Sequence, residues 1–117
     1  MIAFACVAAL SLRDVHITVE RPTHRIVADA GAGGYQAFPD VCRLKNGDLL
    51  CVFYAGYGHI SFPSKALPNG GRICAIRSKD EGKTWTAPWT AIDTPLDDRD
   101  PSVCCLPNGT LLLNFFT

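Results

Sequence analysis

A chain of 117 residues with 11 basic and 11 acidic side chains carries no formal net charge, and 48% of it is hydrophobic. Those values describe one globular domain or a piece of one, with enough apolar material for a core and too little charge for a disordered tail. The basic excess that phosphate binding needs is missing, which argues against a nucleic-acid partner.

The first apolar run, Ile2 to Leu12, is 11 residues long and is broken by Cys6 and Ser11. Roughly 20 apolar residues are needed to cross a bilayer, so no membrane span is expected. Residues 1–14 read in two ways. The small residues Ala8, Ala9 and Ser11 suit a secretory signal, although no Lys or Arg precedes the run, and the other reading is a buried strand. Val15 to Glu20 is a further strand candidate. Residues 15–117 are expected to form a partial domain of the kind described below.

An internal repeat dominates the remainder. The segment from Val41 to Phe53 matches that from Val103 to Phe115 at 8 of 13 positions, with a constant offset of 62 residues. Pro39 and Pro101 extend the match. Each copy sets apolar runs on both sides of Asn-Gly, a dipeptide that tolerates the positive φ angles of a type I′ turn, so each copy is expected to be a tight β-hairpin. With Asn46-Gly47 as a two-residue loop, Lys45 faces Asp48, Leu44 faces Leu49, and Cys42 faces Cys51 in a non-hydrogen-bonded pair. There they form either two packed thiols or a disulfide.

Between the copies lie a Gly/Pro-rich loop (Gly56 to Gly71), a strand-like run (Arg72 to Arg77), a charged turn (Ser78 to Lys83) and a second strand region (Thr84 to Ile92). No segment sustains the 3.6-residue period of a helix, and eight prolines with ten glycines punctuate the chain. The expected fold class is therefore all-β, built from units of four antiparallel strands. Four-stranded sheets repeated radially make a β-propeller. About one and a half such units fit here.

Six cysteines contain no C-x-x-C spacing, and His16, His24 and His59 stand alone, so neither a metal site nor a cofactor is expected.

The charged turn reads Ser78-Lys79-Asp80-Glu81-Gly82-Lys83-Thr84-Trp85, which fits the Asp-box pattern S-x-D-x-G-x-T-W at every specified position. The chain thereby resembles the sialidase (neuraminidase-like, BNR-repeat) superfamily, over about Gln36 to Thr117. Structural work is expected of Ser78, Asp80, Gly82, Thr84 and Trp85: the carboxylate accepts turn amides, the glycine turns left-handed, and the indole wedges between sheets. The resemblance implies a ring of about six blades, or roughly 370 residues, of which this chain would be an N-terminal part.

Strand alternation puts the Asn-Gly turns and the Asp-box on one rim. The opposite rim collects Tyr35, Gln36, Phe38, Asp40, the loop from Gly56 to Arg72, and Asp97-Asp98-Arg99-Asp100. Loops on a rigid sheet are the usual place for binding groups. Sialidase chemistry, as the resemblance implies, uses three arginines on a substrate carboxylate, a Tyr nucleophile assisted by Glu, and an Asp acid/base. Most of that set would lie beyond Thr117, so no catalytic residue is assigned. Where the family carries its first arginine, in Phe/Tyr-Arg-Ile-Pro, this sequence has Gln36-Ala37-Phe38-Pro39. By contrast, Asp100-Pro101-Ser102 matches the family step whose Asp contacts a substrate hydroxyl.

The candidate substrate-binding residues are accordingly Asp100, Arg99, Arg72, His59 and Tyr57, each of which also suits an ordinary polar rim; Arg99, for instance, would simply pair with Asp97 or Asp98. Asn108-Gly109-Thr110 is a sequon in a hairpin turn and is assigned no glycan. The resemblance implies a secreted or periplasmic glycoside hydrolase that removes terminal sialic acid or a related sugar from glycans. Ala37 leaves open a non-catalytic propeller that binds glycan or protein.

Overall fold

The computed structural model describes residues 24–28 and 32–117; the signal-like segment and the strand candidate at Val15 to Glu20 lie outside the described residues. The fold class is all-β. Six strands follow in order: β1 (Tyr35–Arg43), β2 (Leu49–Gly56), β3 (Arg72–Ser78), β4 (Trp89–Ile92), β5 (Arg99–Cys105) and β6 (Leu111–Phe116). The first four form an antiparallel sheet in the order β1-β2-β3-β4, and β5 pairs with β6 in a separate hairpin. The fourth strand is shorter than the sequence suggested, because residues 84–88 carry no ladder; Thr86 ties them to β3, its amide donating to Arg77 O at 3.0 Å and its hydroxyl accepting the Arg77 amide at 3.1 Å. Among the described residues no helix is long and apolar enough to cross a membrane.

Both copies of the repeat are hairpins, but their turn differs from the expected one. The Leu44 amide donates to Asp48 O at 2.8 Å and the Gly47 amide to Leu44 O at 2.9 Å. The loop therefore has three residues, a tight turn followed by a left-handed glycine bulge, with Gly47 at φ 94°. The second copy repeats this arrangement at Leu106, Gly109 and Thr110, with Gly109 at φ 91°. One added loop residue shifts the register: Cys42 pairs with Leu50, and Val41 with Cys51. A one-residue slip turns a side chain to the other face. Cys42 and Cys51 thus lie on opposite faces of the sheet, which rules out both the packed thiol pair and the disulfide expected of them; the five described cysteines are free.

The inner strands are buried on both sides. On one face Phe53, Ala55, Cys74 and Ile76 pack with Ala32, flanked by Ala28, Cys51 and Trp85. On the other, Leu50, Val52, Ile73 and Ala75 pack against Val103 of β5, with Cys42, Leu44, Ile92, Leu113 and Phe115 around them. This second cluster is the seam between the two sheets. Val52 and Ile73 in this cluster and Ile76 in the other are fully buried, each worth about 1.5–3 kcal/mol of hydrophobic stabilisation.

The repeat also shows in the backbone strain. Each first strand breaks register at its X-Pro step, between Ala37 and Asp40 in β1 and between Arg99 and Ser102 in β5. The residue before each proline is left-handed without being glycine: Phe38 at φ 52° and Asp100 at φ 46°. Such conformations cost on the order of 1–3 kcal/mol and persist only where surrounding structure imposes them.

Candidate functional site

The Asp-box is closed by its own side chains. Asp80 Oδ1 accepts the Thr84 amide at 2.8 Å and the Ser78 hydroxyl at 2.9 Å, while Oδ2 accepts the Thr84 hydroxyl at 2.6 Å. Ser78 Oγ in turn accepts the Gly82 amide at 2.8 Å. The hydroxyl and amide of Thr84 are the main reason the Asp80 carboxyl is held down at about 2. Gly82 sits at φ 79°, as expected, and Trp85 donates its indole N–H to Gly82 O at 3.1 Å while packing half-buried on the Phe53/Ile76 face. Glu81, beside it, is also left-handed and forms a two-pronged pair with Arg43, both prongs 2.7 Å. Arg77 pairs with Asp48 at 2.6 Å. These links gather the Asp-box and the first Asn-Gly turn at one end of the sheet.

The opposite end is organised by Asp97, which the sequence offered only as a partner for Arg99. Its Oδ1 accepts the Tyr54 hydroxyl at 2.9 Å and the Gly71 amide at 3.0 Å, and its Oδ2 accepts the Ser61 amide at 3.3 Å. Tyr54 is fully buried; burial foremost, with the neighbouring Asp97 charge, raises its phenol pKa. Its protonated hydroxyl donates to Asp97. Ser61 Oγ accepts the amides of Tyr57 at 2.9 Å and Gly58 at 3.3 Å, which winds the loop carrying His59 around one buried serine. Asp98 is buried as well and holds Thr94 through its amide and hydroxyl, both at 2.6 Å.

Above this brace the rim residues converge. Arg99 Nη2 lies 3.0 Å from His59 Nε2. A guanidinium only donates, so in this contact His59 Nε2 is the acceptor. The Arg99 Nε atom is 4.0 Å from Asp97 Oδ2, an ion pair without a hydrogen bond, and its Cζ sits 5.6 Å from the centre of the Phe116 ring. Phe38, held left-handed, meets the His59 ring edge-on at 5.5 Å. Asp100 follows Arg99 with an exposed side chain, and Tyr57 is 55% exposed on the His59 loop.

Arg99 and His59 are thus brought together, with Asp100 next to Arg99 in the chain and Tyr57 two residues from His59. Arg72 is not part of that group. It stands on the sheet face opposite Tyr54, where its Nη2 donates to Ala32 O at 3.2 Å. Asp40 is a brace between the sheets: its Oδ2 accepts the Ser102 hydroxyl and the Val103 amide, both at 2.8 Å, and the Val103 amide is the main reason its carboxyl is lowered. Ala37 lines a shallow apolar depression with Val27, Gln36, Pro39, Phe53 and Ile76 on the far face. Among the described residues no three His, Cys, Asp or Glu side chains converge as metal ligands.

Comparison with protein families, with curated proteins and with solved structures finds no match to this chain.

Proposed function

We propose that these residues form part of a sialidase-superfamily β-propeller, and that the whole protein is a secreted or periplasmic glycoside hydrolase acting on terminal sialic acid or a related sugar. The observation that carries this is the closed Asp-box. Its serine, aspartate, glycine, threonine and tryptophan all make the contacts their types suit, between the third and fourth strands of a four-stranded sheet, with a second repeat unit against that sheet. The substrate would meet the other end. There Asp100 would accept a sugar hydroxyl, Arg99 and His59 would supply a donor and a proton-bearing ring edge, and Tyr57 would stack on the sugar. The nucleophile and its partner acid would come from blades outside these residues.

A second function is favoured by two observations: Ala37 occupies the first arginine position of the family, and Arg72 faces away from Arg99. A non-catalytic glycan-binding or protein-binding propeller fits both, since a carboxylate clamp is weakened when a charged member is missing. The full-length encoded protein should be assayed for release of 4-methylumbelliferone from its sialoside, and for binding on a glycan array. Release that falls by 10-fold or more on Asp100→Ala, as expected for about 1.5–3 kcal/mol of lost hydrogen bonding, supports the hydrolase. Binding without release supports the second function, and neither activity refutes the sugar assignment.

A further inference from the structure

The seam between the sheets is fastened at two places. Toward the rim, Asp40 Oδ2 takes the Ser102 hydroxyl and the Val103 amide at 2.8 Å. Toward the turns, the Lys45 side chain comes so close to Gly109 that a Cβ there would lie 3.3 Å from its Cδ. Between these points β1 and β5 run side by side in the same direction, since each is the first strand of its repeat. Cys42 lies two residues beyond Asp40 along β1, and Cys105 lies two residues beyond Val103 along β5, at about 3.3 Å per residue. Cys42 packs against the cluster that contains Val103. Cys105 shares a strand face with Val103 by alternation and is half-buried, whereas Cys104 turns outward and is exposed. Strand alternation therefore brings one free, half-buried thiol from each sheet to the same stretch of the seam.

We propose that Cys42 and Cys105 are a site of oxidative cross-linking that locks the two sheets together. The Cys42 thiol pKa is raised by burial first, then by Cys105, with smaller contributions from Asp40 and Cys104, in keeping with a thiol that lies near β5. The reactant is a small disulfide. The Cys105 thiolate attacks one of its sulfurs and releases one small thiol. Cys42 then attacks the mixed disulfide and releases the second, so that two protein thiols and one small disulfide give one protein disulfide and two small thiols. The inference does not rest on the proposed glycosidase function.

The test uses the full chain, reduced and then incubated with oxidised glutathione. The expected product is about 2 Da lighter, lacks two reagent-accessible thiols and unfolds at higher urea. Trypsin under non-reducing conditions should link residues 26–43 to residues 100–117, with fragmentation placing the bond on Cys105. The link should persist in Cys104→Ser and Cys51→Ser and vanish in Cys105→Ser. Should Cys105→Ser fail to fold, the linked peptide from Cys104→Ser decides alone. A vicinal Cys104–Cys105 bond, a bond from Cys42 to Cys51 or Cys104, or glutathione adducts without a protein disulfide would each overturn the proposal.

Discussion

Removing the Asp97 carboxylate tests whether the rim is held by that one side chain. In Asp97→Ala the Gly71 amide keeps a partner, because it also donates to Ser61 O at 3.0 Å. The Ser61 amide loses a long bond of 3.3 Å, and the Tyr54 hydroxyl loses its bond of 2.9 Å to a charged acceptor. Tyr54 is 0% exposed, so water does not replace that acceptor. A bond to a charged group is worth about 1.5–3 kcal/mol, and the weaker one adds less, giving a loss of about 3 kcal/mol. Tyr54→Phe should cost about 1 kcal/mol, because Asp97 keeps its two amides and some solvent. The two substitutions share one interaction, so the double variant should be about 1–2 kcal/mol more stable than the summed losses predict. Urea unfolding followed by the fluorescence of Trp85 and Trp89 measures all four proteins. Additivity within about 0.5 kcal/mol would refute the claim that Asp97 holds the loop through Tyr54.

Acid should open the Asp-box: Asp80 is lowered from 3.8 to about 2, so its contribution is complete above 3.8 and is lost as pH falls toward 2. Asp80→Asn should flatten circular-dichroism titrations across that interval. Gly71→Ala should cost about 3 kcal/mol or prevent folding, because the new methyl would overlap Asp97 Oδ1 and the Tyr54 ring. Gly47→Ala meets open space and only the strain of φ 94°, so it should cost about 1 kcal/mol by the same urea assay. Val103→Ala removes two methyl groups from a residue 6% exposed in the seam, and a loss of about 1–3 kcal/mol with faster amide exchange in β5 is expected.

The all-β class, the two hairpins and the strand positions were legible because apolar runs alternate with Gly, Pro and Asn-Gly punctuation. Register was not. From Leu49 to Ala55 β2 is apolar on both faces, so its pattern marks neither face as inward, and Asn-Gly serves a two-residue or a three-residue loop equally well. The bulge at Phe38 and Pro39 hid the phase of β1 in the same way. At the rim, Arg99 and His59 were legible as polar loop residues, but their contact spans 40 residues and depends on how the Ser61 loop winds. Asp97 was underrated for a related reason: two adjacent carboxylates look alike in sequence, and only the fold separates the one on Tyr54 from the one on Thr94. Arg72 stands at the rim end of β3, but its place on the face opposite Tyr54 follows from strand register, which its loop-edge position in the sequence does not give.

The seam brace has a consequence for the order of folding. Each hairpin closes through residues four apart, a local event on the microsecond scale, whereas Asp40 meets Ser102 across 62 residues. The entropy of that closure falls late, after both turns have formed. Substitutions at Gly47 and Gly109 should therefore slow refolding, while Asp40→Ala should act mainly by speeding unfolding. On the ribosome, the first sheet would stand with its Val52/Ile73 face open to solvent until β5 emerges, the interval in which aggregation competes with docking.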